Sequence, residues 1–342
     1  MKLSKLALIA PLLTSTNCGP WMTEGDYYHV MRKGAEMPIW VRGNIASGIF
    51  LVTLHGGPGH SGHDFVLSEG FRALEEDYAV VYWDQRASGL AKGNPSPDTF
   101  TLEDFVADTD AVIGAMQDTY GFDEFFLLGH SWGGALGTAF LIDGAHRDEV
   151  SGWISVDGDH NLPLSVAESR LWMIDTIEQL IAENTDAEHW SEILEWYEEN
   201  PVFLPSDPRH YSYLSTTGGY FYRPEDYVQP PYAELTFASP YSMGTYQNYE
   251  RSIRLTRPLT DGLDLSDRMG EITTPSLFLW GEEDGAVPVA IGEDAFELIG
   301  TPDEDKSLVV ISECAHSAHD EVPERFTAEV SGFIEGVLEA RL

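Results

Sequence analysis

The stretch Phe125-Phe126-Leu127-Leu128-Gly129-His130-Ser131-Trp132-Gly133-Gly134-Ala135 decides the reading of this chain. Four apolar residues run directly into Gly-x-Ser-x-Gly, and helix-compatible residues follow over 133–142. Strand, sharp turn and helix in that order push the Ser131 hydroxyl outward, while the flanking glycines leave room for a strained backbone. The helix starting there also aims the positive end of its dipole at negative charge developing beside the serine. Ser131 therefore reads as a nucleophile rather than an ordinary turn serine.

Segments of the same kind lie on both sides of it. Compact apolar runs at 49–54, 78–83, 153–156, 276–280 and 307–311 each end in a glycine-rich or polar turn. Their Val, Ile, Leu, Phe and Trp content is that of strands buried on both faces of a parallel sheet. Helical stretches at 102–117, 133–142, 290–298 and 323–338 alternate with them, which implies an α/β fold wound on both faces of the sheet. Ahead of these, 26–32 and 37–42 flank Gly34 and suggest a hairpin. The alternation stops between 159 and 269, where Trp, Tyr and acids are frequent and 171–183 and 187–199 are helical. Strands on both sides of that region need one another to complete a sheet. The expected organisation is a core of 22–158 and 271–342, with a mainly helical cap, 159–270, inserted after the sixth core strand.

A serine nucleophile needs an oxyanion site, a base and an orienting acid. His55-Gly56-Gly57-Pro58-Gly59 follows the strand 49–54, and its glycines let backbone N–H groups face a bound carbonyl. The N–H groups of Gly57 and Trp132 are the expected donors, each worth about 2.7–4 kcal/mol in the transition state. A phosphate-cradling loop is the alternative, but no Gly-Lys-Ser/Thr follows. Base and acid should come in the order Ser, Asp/Glu, His. Gly281-Glu282-Glu283-Asp284-Gly285 and Glu313-Cys314-Ala315-His316-Ser317 supply them at strand carboxyl ends. Asp284 is the preferred acid over Glu282 and Glu283, and His316 the preferred base over His319. His130, His160 and His210 read as surface or packing residues, His55 as structural, and Cys314 as a small buried hydrophobe. In this arrangement His316 takes the Ser131 proton and Asp284 fixes the imidazole tautomer, with no cofactor and no metal called for.

His55-Gly56-Gly57-Pro58-Gly59, Trp83-Asp84-Gln85-Arg86 with Ser88-Gly89, and Gly129 to Gly134 together resemble the proline iminopeptidase family of α/β-hydrolases. The likeness covers about 36–157 and 272–340. It implies the α/β-hydrolase fold, a mostly parallel sheet flanked by helices. It also implies structural roles for Asp84 and Arg86, which would tie loops beneath the site through a partly buried ion pair. Aminopeptidases of that family hold the substrate's free α-amino group on acidic cap residues, and Glu250 and Glu198 are the candidates carried over here. The chain departs from the family at Ala87 and Ser88, where glycine and cysteine are more usual. A small-molecule or short-peptide substrate follows. The alternative is a carboxylesterase or lactone hydrolase with an aromatic acyl pocket drawn from Trp172, Trp190, Trp196, Tyr220 and Tyr222, although those rings equally suit the cap's own core. A catalytically dead binding protein is disfavoured by the complete set of residue types. Dehalogenase and epoxide hydrolase readings fail because the elbow residue is Ser131, not Asp.

Composition sets the outer limits. The 342 residues carry 57 acids against 19 Lys+Arg, a formal net charge of −38. Acids spread along the whole chain repel phosphate backbones and anionic headgroups, so no nucleic-acid partner and no polybasic membrane docking are expected. At the N-terminus Lys2 and Lys5 precede an apolar run over 6–13 that is too short to span a bilayer. Residues 1–17 read as a signal peptide of lipoprotein type with Cys18 at the cleavage site, ordinary secretion being the alternative. The expected location is exported, periplasmic or membrane-anchored, with the membrane touched only through that lipid; a cytoplasmic chain is the fallback.

Overall fold

The computed structural model describes residues 25–121, 124–183, 186–203, 207–223 and 241–342. Residues 1–17, expected to be a signal peptide, and Cys18 lie outside the described residues. The chain enters through an antiparallel pair, β1 (Asp26–Arg32) and β2 (Ala35–Gly43), joined at Lys33-Gly34 as the hairpin reading expected. It continues through β3 (Ile49–Leu54), α1 (Glu69–Leu74), β4 (Ala79–Trp83), β5 (Lys92–Gly93), α2 (Leu102–Tyr120), β6 (Glu124–His130), α3 (Trp132–Asp143) and β7 (Val150–Val156). A helical insert follows, with α4 (Leu162–Ala182), α5 (Ala187–Glu199), α6 (Pro208–Thr217) and α7 (Tyr241–Thr260). The core then resumes with β8 (Ser276–Gly281), α8 (Val289–Leu298), β9 (Lys306–Ile311), α9 (Ala318–Glu321) and α10 (Pro323–Glu339).

The sheet order is β1-β2-β4-β3-β6-β7-β8-β9, with the two-residue β5 pairing β2. From β4 through β9 the pairs are parallel, whereas β2 runs antiparallel to both β1 and β4. Strand periodicity sets its two faces. Phe50, Val52, Phe125 and Leu127 join the cluster under α2, α3 and α8, while Leu51, Phe126 and Leu128 join the one under α1 and α10. Both faces are covered, so β4, β7 and β8 are buried throughout and lack any polar alternation. On α10 the buried Phe326, Val330, Ile334 and Val337 form a helical stripe against the sheet. Each such side chain contributes about 1.5–3 kcal/mol through burial. Local signals agree with the packing: Thr101 caps α2 by accepting from the Asp104 N–H at 3.3 Å, and Gly121 ends it at φ 60.

Parallel strands have one consequence for chemistry. The carboxyl ends of β3, β4, β6, β7, β8 and β9 lie on one edge, which gathers the loops carrying His55, Asp84, Ser131, Asp157, Asp284 and His316. The insert between β7 and β8 carries an apolar cluster of its own, including Met173, Ile177, Ile193, Trp196, Tyr197 and Leu214.

Candidate active site

Ser131 sits between β6 and α3 at φ 57, ψ −123, a backbone conformation that costs a non-glycine residue about 1–3 kcal/mol. Neighbouring segments hold it there. The Ser131 N–H donates to the Val156 carbonyl at 3.2 Å, and its own carbonyl accepts from Gly134 at 2.8 Å and Asp159 at 3.0 Å. A Cβ on Gly133 would sit 2.0 Å from the Leu54 carbonyl oxygen, so only glycine allows α3 to start this close to β3.

His316, on the loop after β9, is buried and its Nδ1 lies 2.8 Å from Asp284 Oδ2. Asp284 Oδ1 accepts from the N–H groups of Ala286 and Val287 at 2.8 and 2.9 Å. Glu282 is exposed and Glu283 only half-buried, so geometry selects Asp284 among the three acids of that turn. Burial works against an imidazolium at His316. The hydrogen-bonded Asp284 carboxylate outweighs it, with Glu321 adding to the field, and the His316 pKa is pushed up to about 8. His319, the competing base, is buried on α9 with its ring edge-on to Phe65 and Phe71.

Ser131 and His316 line one cavity of about 230 Å³. Gly57, Pro58 and Trp132 form part of the same wall, and Tyr220 of the insert stands 5.2 Å from the His316 ring between centroids. Trp132 is the first residue of α3, where an N–H has no intrahelical partner. Gly57 has φ 118, which a side chain would strain.

Three sequence motifs meet behind this wall. His55 Nε2 accepts from the Gln85 N–H at 3.1 Å, and the Gln85 side-chain amide donates to the His55 carbonyl at 3.0 Å. The Trp132 indole N–H donates to Gln85 Oε1 at 2.9 Å. His55 is thus structural, and burial lowers its pKa so that it stays neutral. The expected Asp84–Arg86 pair does not form. Asp84 accepts from Ser61 Oγ and the Gly62 N–H, both at 2.8 Å, and from the Leu90 N–H. Arg86 instead grips Asp108 of α2 through two bonds of 2.6 and 2.7 Å, both side chains fully buried. Two residues apart, the pair point away from each other, one bracing the loop after β3 and the other reaching α2.

The cap acids are not where the resemblance implied. Glu250 and Glu198 are exposed and neither lines the cavity. Tyr249, one residue before Glu250 on α7, takes the cavity-facing position, and a helix turns its successor away. Among the described residues, the carboxylate on the cavity wall is Asp159 at the end of the loop after β7. Its Oδ1 accepts from Ser165 Oγ at 2.7 Å, yet burial raises its pKa more than that bond lowers it. Of the expected aromatics, Tyr220 reaches the cavity, whereas Trp172, Trp190 and Trp196 pack within the insert's own cluster.

Several bracing groups carry no local sequence signal. Glu321 Oε1 accepts from the N–H groups of Ala315 and Ser317 at 3.1 and 3.2 Å, straddling His316, and the other oxygen accepts from Tyr222 at 2.6 Å. His130 Nε2 donates to the His316 carbonyl at 2.7 Å. Tyr197 hydroxyl meets His210 Nδ1 at 2.8 Å, His210 Nε2 meets Ser169 Oγ at 2.9 Å, and Ser169 donates to the Gly285 carbonyl. That order assigns His210 a neutral Nε2–H tautomer, in keeping with a pKa lowered by burial to about 4. The insert is thereby fastened to the loop of Asp284, as it is again by the Gly285 N–H donating to Gly219 at 2.9 Å. Cys314 is buried as expected, and burial pushes its thiol up.

The alpha/beta hydrolase fold family model matches residues 50–323. The chain belongs to the alpha/beta hydrolase fold family. This hydrolase is 28% identical to a proline iminopeptidase of Thermoplasma volcanium over 286 residues, 83% of this chain and 88% of that one. It also matches a "Probable aminopeptidase" of Bacillus subtilis at 26% identity, over 82% of this chain and 87% of the relative. Among solved structures, a proline iminopeptidase of Mycobacterium smegmatis superposes with a TM-score of 0.61 at 21% identity, over 93% of this chain and all of that one. An esterase from Rhodococcus gives 0.59 at 21% identity, over 92% and 100%. Both structural likenesses speak for the fold alone.

Proposed function

We propose that this hydrolase is a serine aminopeptidase of the proline iminopeptidase type, releasing an N-terminal residue from short peptides through an acyl-enzyme. The observation that carries the serine mechanism is the strained Ser131 elbow sharing a cavity with a His316 whose Nδ1 is 2.8 Å from Asp284. Asp284 at Nδ1 leaves Nε2 free to take the Ser131 proton as Oγ attacks the acyl carbon. The resulting imidazolium returns the proton to the leaving nitrogen, and water repeats the sequence to release the acyl group. The N–H groups of Gly57 and Trp132 hold the oxyanion in both halves. The aminopeptidase specificity is supported by the curated relatives.

A carboxylesterase is the second reading. It is favoured by Glu250 and Glu198 facing solvent and by an Asp159 whose burial disfavours its charge. A paired panel of aminoacyl naphthylamides and p-nitrophenyl esters on the mature chain separates the two. Turnover of the amides supports the aminopeptidase, and esters alone sink it. Export through residues 1–17 with a lipid on Cys18 belongs to the same proposal, and the intact mass of the mature protein reads it out.

A further inference from the structure

A second carboxylate stands beside the Asp284–His316 pair. Asp157 follows β7 directly, is fully buried and takes φ 46, an unfavourable value for a residue with a side chain. Its N–H donates to the Leu279 carbonyl at 2.9 Å and its Oδ1 accepts from the Gly281 N–H at 2.8 Å. Both partners are on β8, the strand that delivers Asp284. Among the described residues Asp157 Oδ2 has no hydrogen-bond partner, a costly state for a buried polar oxygen. One oxygen of Asp157 and one ring nitrogen each of His130 and His316 lie within 4.8 Å of one another. Two carboxylates from two neighbouring strand ends therefore face one imidazole.

We propose that Asp157 is a reserve acid for His316, a positioning residue that stabilises its imidazolium from the end of β7 when the Asp284 charge is lost. The proposal rests on the reading of Ser131 and His316 as nucleophile and base. Asp284, Glu321 and Cys314 surround Asp157 on the acidic side, and His316 and His130 on the basic side. Burial and the Asp284 charge hold the Asp157 carboxyl well above the usual carboxylate range, so beside an ionised Asp284 it keeps its proton. Removing the Asp284 charge removes the larger of the repulsions, while the attraction of His316 remains. Asp157 then releases its proton to solvent, and its carboxylate faces an imidazole that has lost its partner at Nδ1. In the intact site the same carboxyl straps the ends of β7 and β8 together. Its place at the end of a different strand lets it survive changes in the Asp284 loop, which the insert grips at Gly285.

The test is a double-mutant cycle read by the rate at which a fluorophosphonate labels Ser131, which needs no knowledge of the natural substrate. Asp284→Ala should slow labelling by about 10²-fold, against the ~10⁴-fold loss of a triad with no second acid. Asp157→Asn, which keeps the Gly281 hydrogen bond, should cost about threefold alone but about 10²-fold in the Asp284→Ala background. The acidic limb of the rate against pH should also fall by about one unit from Asp284→Ala to the double variant, because Asp157, whose influence on His316 exceeds that of the remaining Glu321, is gone. Equal factors in both backgrounds, with an unmoved limb, overturn the proposal. Should Asp157→Asn not fold, Asp284→Ala alone decides, a ~10⁴-fold loss counting against Asp157. Labelling that persists in Ser131→Ala would instead overturn the reading beneath the proposal, which separates the two failures.

Discussion

The sheet core and the helical insert are built on different rules, and they contribute different things to the site. In the core, each group of the candidate triad is set by short bonds: Ser131 to Val156 at the end of β7, Asp284 to Ala286 and Val287 of its own loop, and the His316 carbonyl to His130 at the end of β6. In the insert, most of the described acids face solvent and aromatics fill a small core of its own, while residues such as Ser169, Tyr220 and Tyr249 supply most of the described cavity wall. The core thus fixes the chemistry and the insert shapes what enters. A substitution in the core site should abolish reaction whatever the substrate. One on the insert should change which substrate is preferred.

The largest expected effect tests the first half of that contrast. Ser131→Ala and His316→Ala should each lower turnover by about 10⁶-fold without altering the thermal unfolding midpoint by more than a few degrees. Substantial residual activity in either variant would break the comparison at its root. Next comes the scaffold under the site. Asp108→Ala strands the fully buried Arg86 guanidinium and should destabilise the core by about 3–5 kcal/mol in denaturant unfolding. A loss below 1 kcal/mol would show the pair to be dispensable.

The pH dependence of kcat/KM follows from the base. His316 must be neutral to take a proton, and its pKa is pushed up to about 8, so the rate should rise with pH through that value. Between pH 7 and 9 the gain should be about tenfold. Asp284→Ala removes the main raising influence and leaves burial, which lowers, so the limb should move to more acidic pH.

The smallest effects sharpen the second half. Asp159→Asn should change the ratio of amide to ester turnover by about tenfold, because it alters the carboxyl that lines the cavity. Glu250→Gln should leave that ratio within about twofold, as its side chain is exposed on α7. A larger effect at Glu250 than at Asp159 would return the amine-binding role to the insert's outer acids.

Legibility from sequence divides along the same line. The core strands are read from apolar runs because both sheet faces are covered, and the elbow from Gly-x-Ser-x-Gly because only glycine at 133 clears Leu54. Asp284 and His316 were readable because parallel strands must put their carboxyl-end loops together. Asp157 and Glu321 were not, since both act through tertiary neighbours across β8 and the loop after β9, and an acid among 57 acids carries no local mark. The partners of Asp84 and Arg86 were misread for a related reason, because adjacency in sequence says nothing about which way a side chain leaves a loop. In the insert, burial of Tyr249 but not Glu250 depends on which face of α7 meets the core, and that follows from packing rather than periodicity in so polar a helix.

The central claim is that Ser131 is the nucleophile of this hydrolase. The most direct measurement is mass spectrometry of peptides from the protein treated with a fluorophosphonate, beside Ser131→Ala treated alike. A single adduct on the peptide carrying Ser131, absent from the variant, is the predicted result. No adduct, or one of equal yield on another residue in both proteins, would contradict it.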